Sequence, residues 1–64
     1  MPRKLRIILI QKGMKQGELA GLTGISPSTL SQIINSRINP TLDEVKTIRD
    51  ALKYRGKDLF EEMS

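Results

Sequence analysis

The chain contains no cysteine and no histidine. That excludes a disulfide framework and every zinc site built from Cys or His, and it agrees with a reducing compartment. A long hydrophobic run is also missing. The apolar stretch "IILI", Ile7 to Ile10, follows a basic start and is too short for a signal-peptide core or a membrane span. A soluble cytoplasmic protein is expected. No repeat, low-complexity tract or linker is visible. At 64 residues the chain is expected to be one domain, 1–64, near the lower limit for folding alone, where helix caps and tight packing matter. Nothing catalytic stands out. There is no glycine-rich phosphate loop, and the carboxylate cluster Asp58, Glu61 and Glu62 has no matching acid elsewhere, so it reads as a solvated face of a terminal helix. No enzyme activity, cofactor, metal or small-molecule ligand is expected.

The charge that is present is unevenly placed. The net charge is +4. Residues 1–42 hold six basic groups (Arg3, Lys4, Arg6, Lys12, Lys15, Arg37) and one acid, Glu18, whereas residues 43–64 hold five basic and six acidic groups. A basic face beside a balanced remainder suits a polyanion partner; on composition alone, solubilising charge serves equally well.

Turn signals at Gly13, Gly24, "NSRINP" (Asn35 to Pro40) and Gly56 divide the chain into segments of short-helix length. "LRIILI" is rich in β-branched residues and compatible with a strand, but Leu5, Ile8 and Leu9 have helical spacing and a lone strand has nothing to pair with, so a helix is favoured. "QGELAGLTG" places Leu19 and Thr23 four apart with Ala20 between them. Its internal Gly17 and Gly21 each disfavour helix by about 1 kcal/mol relative to Ala, so its neighbours must hold it. In "SPSTLSQIINS", Ser26 can cap and Pro27 suits the first turn, while Leu30 and Ile33 share a buried face. "TLDEVKTIRDALK" opens on a T-x-x-E capping box, Thr41 with Glu44, and carries the stripe Leu42, Val45, Ile48 and Leu52. "GKDLFEEMS" reads as a last short helix with Leu59, Phe60 and Met63 inward. The expected fold class is all-α, a compact five-helix bundle.

The informative spacing runs Gln16, Leu19, Ala20, Thr23, Gly24, Ile25, Leu30, Ile33. Ala20 is small where two helices cross, Gly24 permits a positive φ in the turn, and Ile25 plugs it. Helices joined this way meet steeply and leave the outer face of the second one free. The stretch "GMKQGELAGLTGISPSTLSQIINSRINPTL", with the later "DLF", resembles the helix-turn-helix of the phage repressor/Cro (XRE) family over Leu5 to Phe60, with the motif itself at about 16–35. The resemblance implies a lambda repressor-like five-helix fold and a sequence-specific regulator of transcription, a repressor, that binds double-stranded operator DNA as a homodimer. With no separate dimerisation domain in view, the dimer is expected to form on DNA.

Residue roles follow from the resemblance and from side-chain chemistry. Pro27, Ser28 and Gln32 take the base-facing positions: Gln can bond adenine N6 and N7 together, Ser can donate or accept, and Pro offers only shape or contact with a thymine methyl. Gln16 at the start of the second helix is expected on a phosphate. Lys15, Thr29, Ser31, Asn35, Arg37, Asn39 and Arg6 are further phosphate candidates. For each, ordinary solvent exposure is the plain alternative. A rival reading is an antitoxin or anti-repressor-like protein-interaction module, built on exposed Ile7, Ile10, Leu22 and Ile38, with DNA binding secondary.

Five departures from the family pattern stand out. Lys15 stands where Ser, Thr or Asn usually caps the second helix. Ser36 replaces the usual glycine after the third, so a positive φ there carries strain. Ile38 replaces a common basic residue, and Arg49 a common small alanine. Finally, Ile34 stands where many members have Glu, and Leu9 where the Arg that pairs with it would be. A matched loss of both charges implies that Leu9 and Ile34 touch in the core; an exposed Ile34, or one grouped with Ile38 on a dimer surface, are the alternatives.

Overall fold

The computed structural model describes residues 3–62. Among them are four helices: α1 (Lys4–Lys12), α2 (Gln16–Thr23), α3 (Pro27–Ile34) and α4 (Leu42–Leu52). The ambiguous first segment is a helix, because Leu5, Ile8 and Leu9 are all buried on one side of it. None of the helices is long and apolar enough to cross a membrane.

The expected caps are in place. The Ser26 hydroxyl accepts from the Thr29 N–H at 3.2 Å, with Pro27 in the first turn. At α4 the Thr41 hydroxyl accepts from the Glu44 N–H at 3.2 Å, and the Glu44 carboxylate accepts from the Thr41 N–H at 2.8 Å. The other ends close through the backbone. After α1, α3 and α4 the chain makes paired reverse bonds, such as Met14 N–H to the Leu9 carbonyl at 2.9 Å and Arg37 N–H to the Gln32 carbonyl at 2.8 Å, which satisfy carbonyls a helix end leaves open. Each such turn needs one residue at positive φ. Gly13 supplies it after α1, but Ser36 (φ 60°) and Lys53 (φ 54°) supply it after α3 and α4. The strain expected at Ser36 is therefore present, and its hydroxyl is buried without a partner.

The core is one cluster of Leu5, Ile8, Leu9, Leu19, Ala20, Leu30, Ile33, Ile34, Ile48, Leu52 and Leu59. Leu9 and Ile34 are both in it, each 6% exposed. This overturns the exposed and dimer-surface readings of Ile34 and agrees with two apolar residues replacing a charged pair. Leu42 is a correction of the opposite kind: it is 84% exposed. By helical geometry it lies about 100° from the mean direction of Ile48 and Leu52, whereas Val45 lies within about 40° of it. Leu42 therefore starts the helix without joining its buried stripe.

The expected fifth helix does not form among the described residues. Residues 57–61 form bends and a single turn, closed by Glu61 N–H to the Asp58 carbonyl at 3.1 Å. Their backbone serves α1 instead. The Leu59 carbonyl accepts from Leu5 N–H at 2.8 Å and the Glu61 carbonyl from Lys4 N–H at 2.9 Å, next to an antiparallel bridge between Arg3 and Glu62. Arg3, which precedes α1, gives no side-chain cap, so the C-terminal segment fills that place. These bonds hold the segment against the start of α1 as a single turn. Leu59 is buried and Phe60 packs on the cluster as expected; Met63 lies outside the described residues.

Side chains fasten this segment. Tyr54 Oη donates to Asp58 Oδ1, and Lys4 Nζ lies 3.1 Å from Asp58 Oδ2. Asp58 is thus a paired group and not part of a merely solvated face. The Tyr54 hydroxyl, then Lys4, hold its carboxyl below the ordinary carboxylate range, while Asp58 raises both Tyr54 and Lys4. Arg49 also finds a role, donating from Nη2 to the Arg55 carbonyl at 3.0 Å and so bracing the turn after α4.

Candidate nucleic-acid interface

α2 and α3 pack together through the turn 24–26. Gly24 takes φ 74° and its N–H returns to the Ala20 carbonyl. Thr23 braces the turn from one side, its hydroxyl donating to the Leu19 carbonyl at 2.8 Å and accepting from Ile25 N–H at 3.2 Å. Ile25 packs on the core. Gln16 braces it from the other, with Nε2 donating to the Pro27 carbonyl at 2.9 Å. The start of α2 is thereby tied to the start of α3, and the two helices present their N-terminal turns side by side.

α3 divides sharply by face. Leu30, Ile33 and Ile34 are buried. Pro27, Ser28, Gln32 and the flanking Asn35 are exposed, while Thr29 and Ser31 are half-buried. Ser28, Gln32 and Asn35 follow at i, i+4 and i+7, so they form one line along the free side. Gln32 Nε2 reaches back toward the Ser28 carbonyl at 3.5 Å, at the outer limit of a hydrogen bond, which leaves its amide available to a partner. Other polar groups are more committed. Thr29 takes part in the Ser26 cap, its hydroxyl accepting from Ser26 Oγ at 2.9 Å. Asn35 Nδ2 donates to the Ser31 carbonyl at 2.8 Å.

The cations around this face are fewer than the sequence suggests. Arg6, Lys12, Lys15 and Arg37 are exposed. Lys4 is half-buried and paired with Asp58. Arg3 is buried at 6% exposure. Its Nη1 donates to the carbonyls of Ile33 (2.8 Å) and Ile38 (3.0 Å), and its Nη2 to Asn39 Oδ1 (2.8 Å). A guanidinium at the last carbonyls of α3 meets the negative end of that helix, a favourable place for a cation. Sequence reasoning counted Arg3 as surface charge; its partners are mostly backbone carbonyls far along the chain, which no local pattern advertises.

Lys15 precedes α2 with no side-chain cap. An ammonium cannot accept the N–H bond that a cap requires. Half the usual reciprocal arrangement survives, because Glu18 Oε1 accepts from Lys15 N–H at 3.1 Å. An uncapped helix start flanked by an exposed lysine is a place where an anion is welcome. Arg6 lies on the open side of α1, and no hydrogen bond among the described residues ties its side chain to α3.

The search of curated proteins and that of solved structures found no significant match. The family comparison did: the model described as Helix-turn-helix matches residues 3–59. Those residues run from buried Arg3 to buried Leu59 and include all four helices. The chain therefore belongs to the repressor/Cro-type (XRE) helix-turn-helix family, whose members are DNA-binding regulators of transcription.

Proposed function

We propose that this protein is a repressor that recognises a specific operator by inserting α3 into the major groove. The observation that carries this reading is the division of α3: three buried aliphatic residues fix the helix, Ser28 and Gln32 are exposed on its other side, and Pro27 is exposed in its first turn. A helix with side chains is about 10–12 Å across, and the major groove of B-DNA is about 12 Å wide. Gln32 carries both a donor and an acceptor, the pair needed to read adenine; Ser28 reads a neighbouring base edge, and Pro27 shapes the approach. Lys15, Arg37 and Arg6 neutralise phosphates. Gln16, Thr29, Ser31, Asn35 and Asn39 add neutral backbone contacts, Gln16 through the donor and acceptor left over from its bond to Pro27. The whole chain acts as one such domain, with the motif at about 16–35.

The size of the molecule supports binding as a pair. Its longest extent is 28 Å, while half-sites one helical turn apart are separated by about 34 Å. One copy covers one half-site, and a homodimer assembled on the duplex covers both. Three cations per copy, six per pair, give a log–log salt slope of about −5, or about a thousandfold loss between about 50 and 200 mM salt. Selection of bound sequences from a random duplex pool tests the reading. It should return an inverted repeat with that spacing; recovery of no preferred sequence would overturn specific recognition.

A second reading has its own observation. Of the aliphatic residues expected on the surface, Ile10, Leu22 and Ile38 are exposed, Ile7 is half-buried instead, and Leu42 joins them; such groups suit a protein partner. An antitoxin or anti-repressor-like role would gain if the protein failed to retard any duplex at low salt.

A further inference from the structure

The loop between α3 and α4 is held from outside itself. Its first turn closes by Ser36 N–H to the Ile33 carbonyl at 3.2 Å and Arg37 N–H to the Gln32 carbonyl at 2.8 Å, and a weaker bond joins Ile38 N–H to Gln32 at 3.4 Å. The strained residue, Ser36, sits in the middle of this turn. Beyond it, the Ile38 carbonyl and the Asn39 side chain are fixed by Arg3, which also holds the Ile33 carbonyl where the helix ends. One guanidinium thus spans the loop from the last residues of α3 to the approach to α4. Arg3 is the buried charged side chain among the described residues, and burying a cation is unfavourable unless its bonds repay it. A flat fork with several donors suits three acceptors on a helix end and the loop after it in a way an ammonium does not.

The bond to Asn39 has a further consequence. With Oδ1 occupied by Arg3, the Asn39 amide has one orientation, and its Nδ2 is the group left to donate. Asn39 and Arg37 are both exposed, and both are donors that the proposed function assigns to phosphates.

We propose that Arg3 is a positioning residue for DNA-backbone binding: it sets the shape of residues 35–39 and aims the Asn39 amide at a phosphate without touching DNA itself. The assignment rests on the DNA-binding reading above. A purely structural role would lower stability yet leave the folded protein binding as before, so the test reads binding and loop order separately. Arg3→Lys, Asn39→Ala and the double variant are compared with the unmodified protein on operator and random duplexes, where circular dichroism shows each folded. Hydrogen exchange at Ser36, Arg37 and Ile38, whose amides are hydrogen-bonded in this turn, is followed in parallel. Arg3→Lys keeps the charge but loses the fork. It should bind both duplexes about tenfold more weakly, the scale of one hydrogen bond to a charged group, with faster exchange at the loop amides. The double variant should be no weaker than the weaker single one, because both act through the same contact. Unchanged binding by folded Arg3→Lys, or additive losses in the double variant, would overturn the proposal. Should Arg3→Lys fail to fold, Asn39→Ala, which leaves both backbone bonds of Arg3, must still bind more weakly. If the unmodified protein retards no duplex at low salt, the DNA reading falls; the exchange data then decide alone whether Arg3 orders the loop.

Discussion

Replacing Ser36 by glycine should make this protein more stable. Ser36 holds φ 60°, a left-handed conformation that disfavours an L-residue by about 1–2 kcal/mol through its Cβ. Its Oγ is also buried without a partner, and an unsatisfied buried hydroxyl is unfavourable by about 1–3 kcal/mol; Ser36 as a whole is only half-buried, so the low end applies. Glycine removes both penalties. Against this stands the greater freedom of glycine in the unfolded chain, about 0.4–1 kcal/mol. The net expectation for Ser36→Gly is a gain of about 1–2 kcal/mol. In a domain of this size each kcal/mol moves Tm by about 4–8 °C. Urea titration followed by far-UV circular dichroism should show a higher midpoint at unchanged slope. Ser36→Ala separates the two causes, since it removes the hydroxyl but keeps the Cβ; it should fall between serine and glycine. A glycine variant no more stable than the parent would refute the strain argument, and alanine equalling glycine would assign the whole effect to the hydroxyl.

Three further outcomes follow from the packing. Gly56→Ala would place a Cβ 2.7 Å from Tyr54 Cε2 and 2.8 Å from Asp58 Oδ1; the two side chains must move apart, so the urea midpoint should fall, and an unaffected midpoint would show that the C-terminal segment yields freely. Leu9→Arg should destabilise by about 3 kcal/mol or more by burying an unpaired charge, with Ile34→Glu in the same chain recovering a large share; no loss from the single change would end the view that these two apolar residues stand in for an ion pair. The Lys4–Asp58–Tyr54 cluster predicts a plateau in pH. Asp58 is depressed, so its contribution is present above the ordinary carboxylate pKa of about 4 and fades as pH falls through its lowered value. Lys4 and Tyr54 are raised, so theirs are present below about 10 and fade as pH rises through their raised values. Exchange of the α1 N-terminal amides should quicken on both sides of this window, and Asp58→Asn should remove the acid-side change.

The parts of the fold legible in the sequence were those fixed by neighbours in sequence. Ser26, Thr41 with Glu44, and the Leu19–Ala20–Gly24–Ile25 turn each act within a few residues, so a local pattern identifies them. The fifth helix failed because Leu59 and Phe60 have inward spacing in a turn as well as in a helix, and what decided between them was the need of α1 for carbonyl acceptors at Lys4 and Leu5. Leu42 failed because the first residue of a helix can keep the spacing of a stripe yet lie off its centre. Arg3 was invisible for a similar reason: two of its three acceptors are backbone carbonyls about thirty positions away, and basic residues near a chain start read as surface charge. For the interface, the exposed line on α3 was legible from its caps and buried face. The commitment of Asn35 to Ser31, of Gln16 to Pro27 and of Asn39 to Arg3 was not, because side-chain amides choose partners by geometry.

The central claim is that α3 reads bases, and Gln32 tests it most directly. Affinities of the parent and of Gln32→Ala are measured on the selected operator and on random duplex at one salt concentration. The account predicts a loss of about 1–3 kcal/mol on the operator, relaxed preference at one base pair, and little change on random DNA. Equal losses on both duplexes, or no loss on the operator, would contradict it.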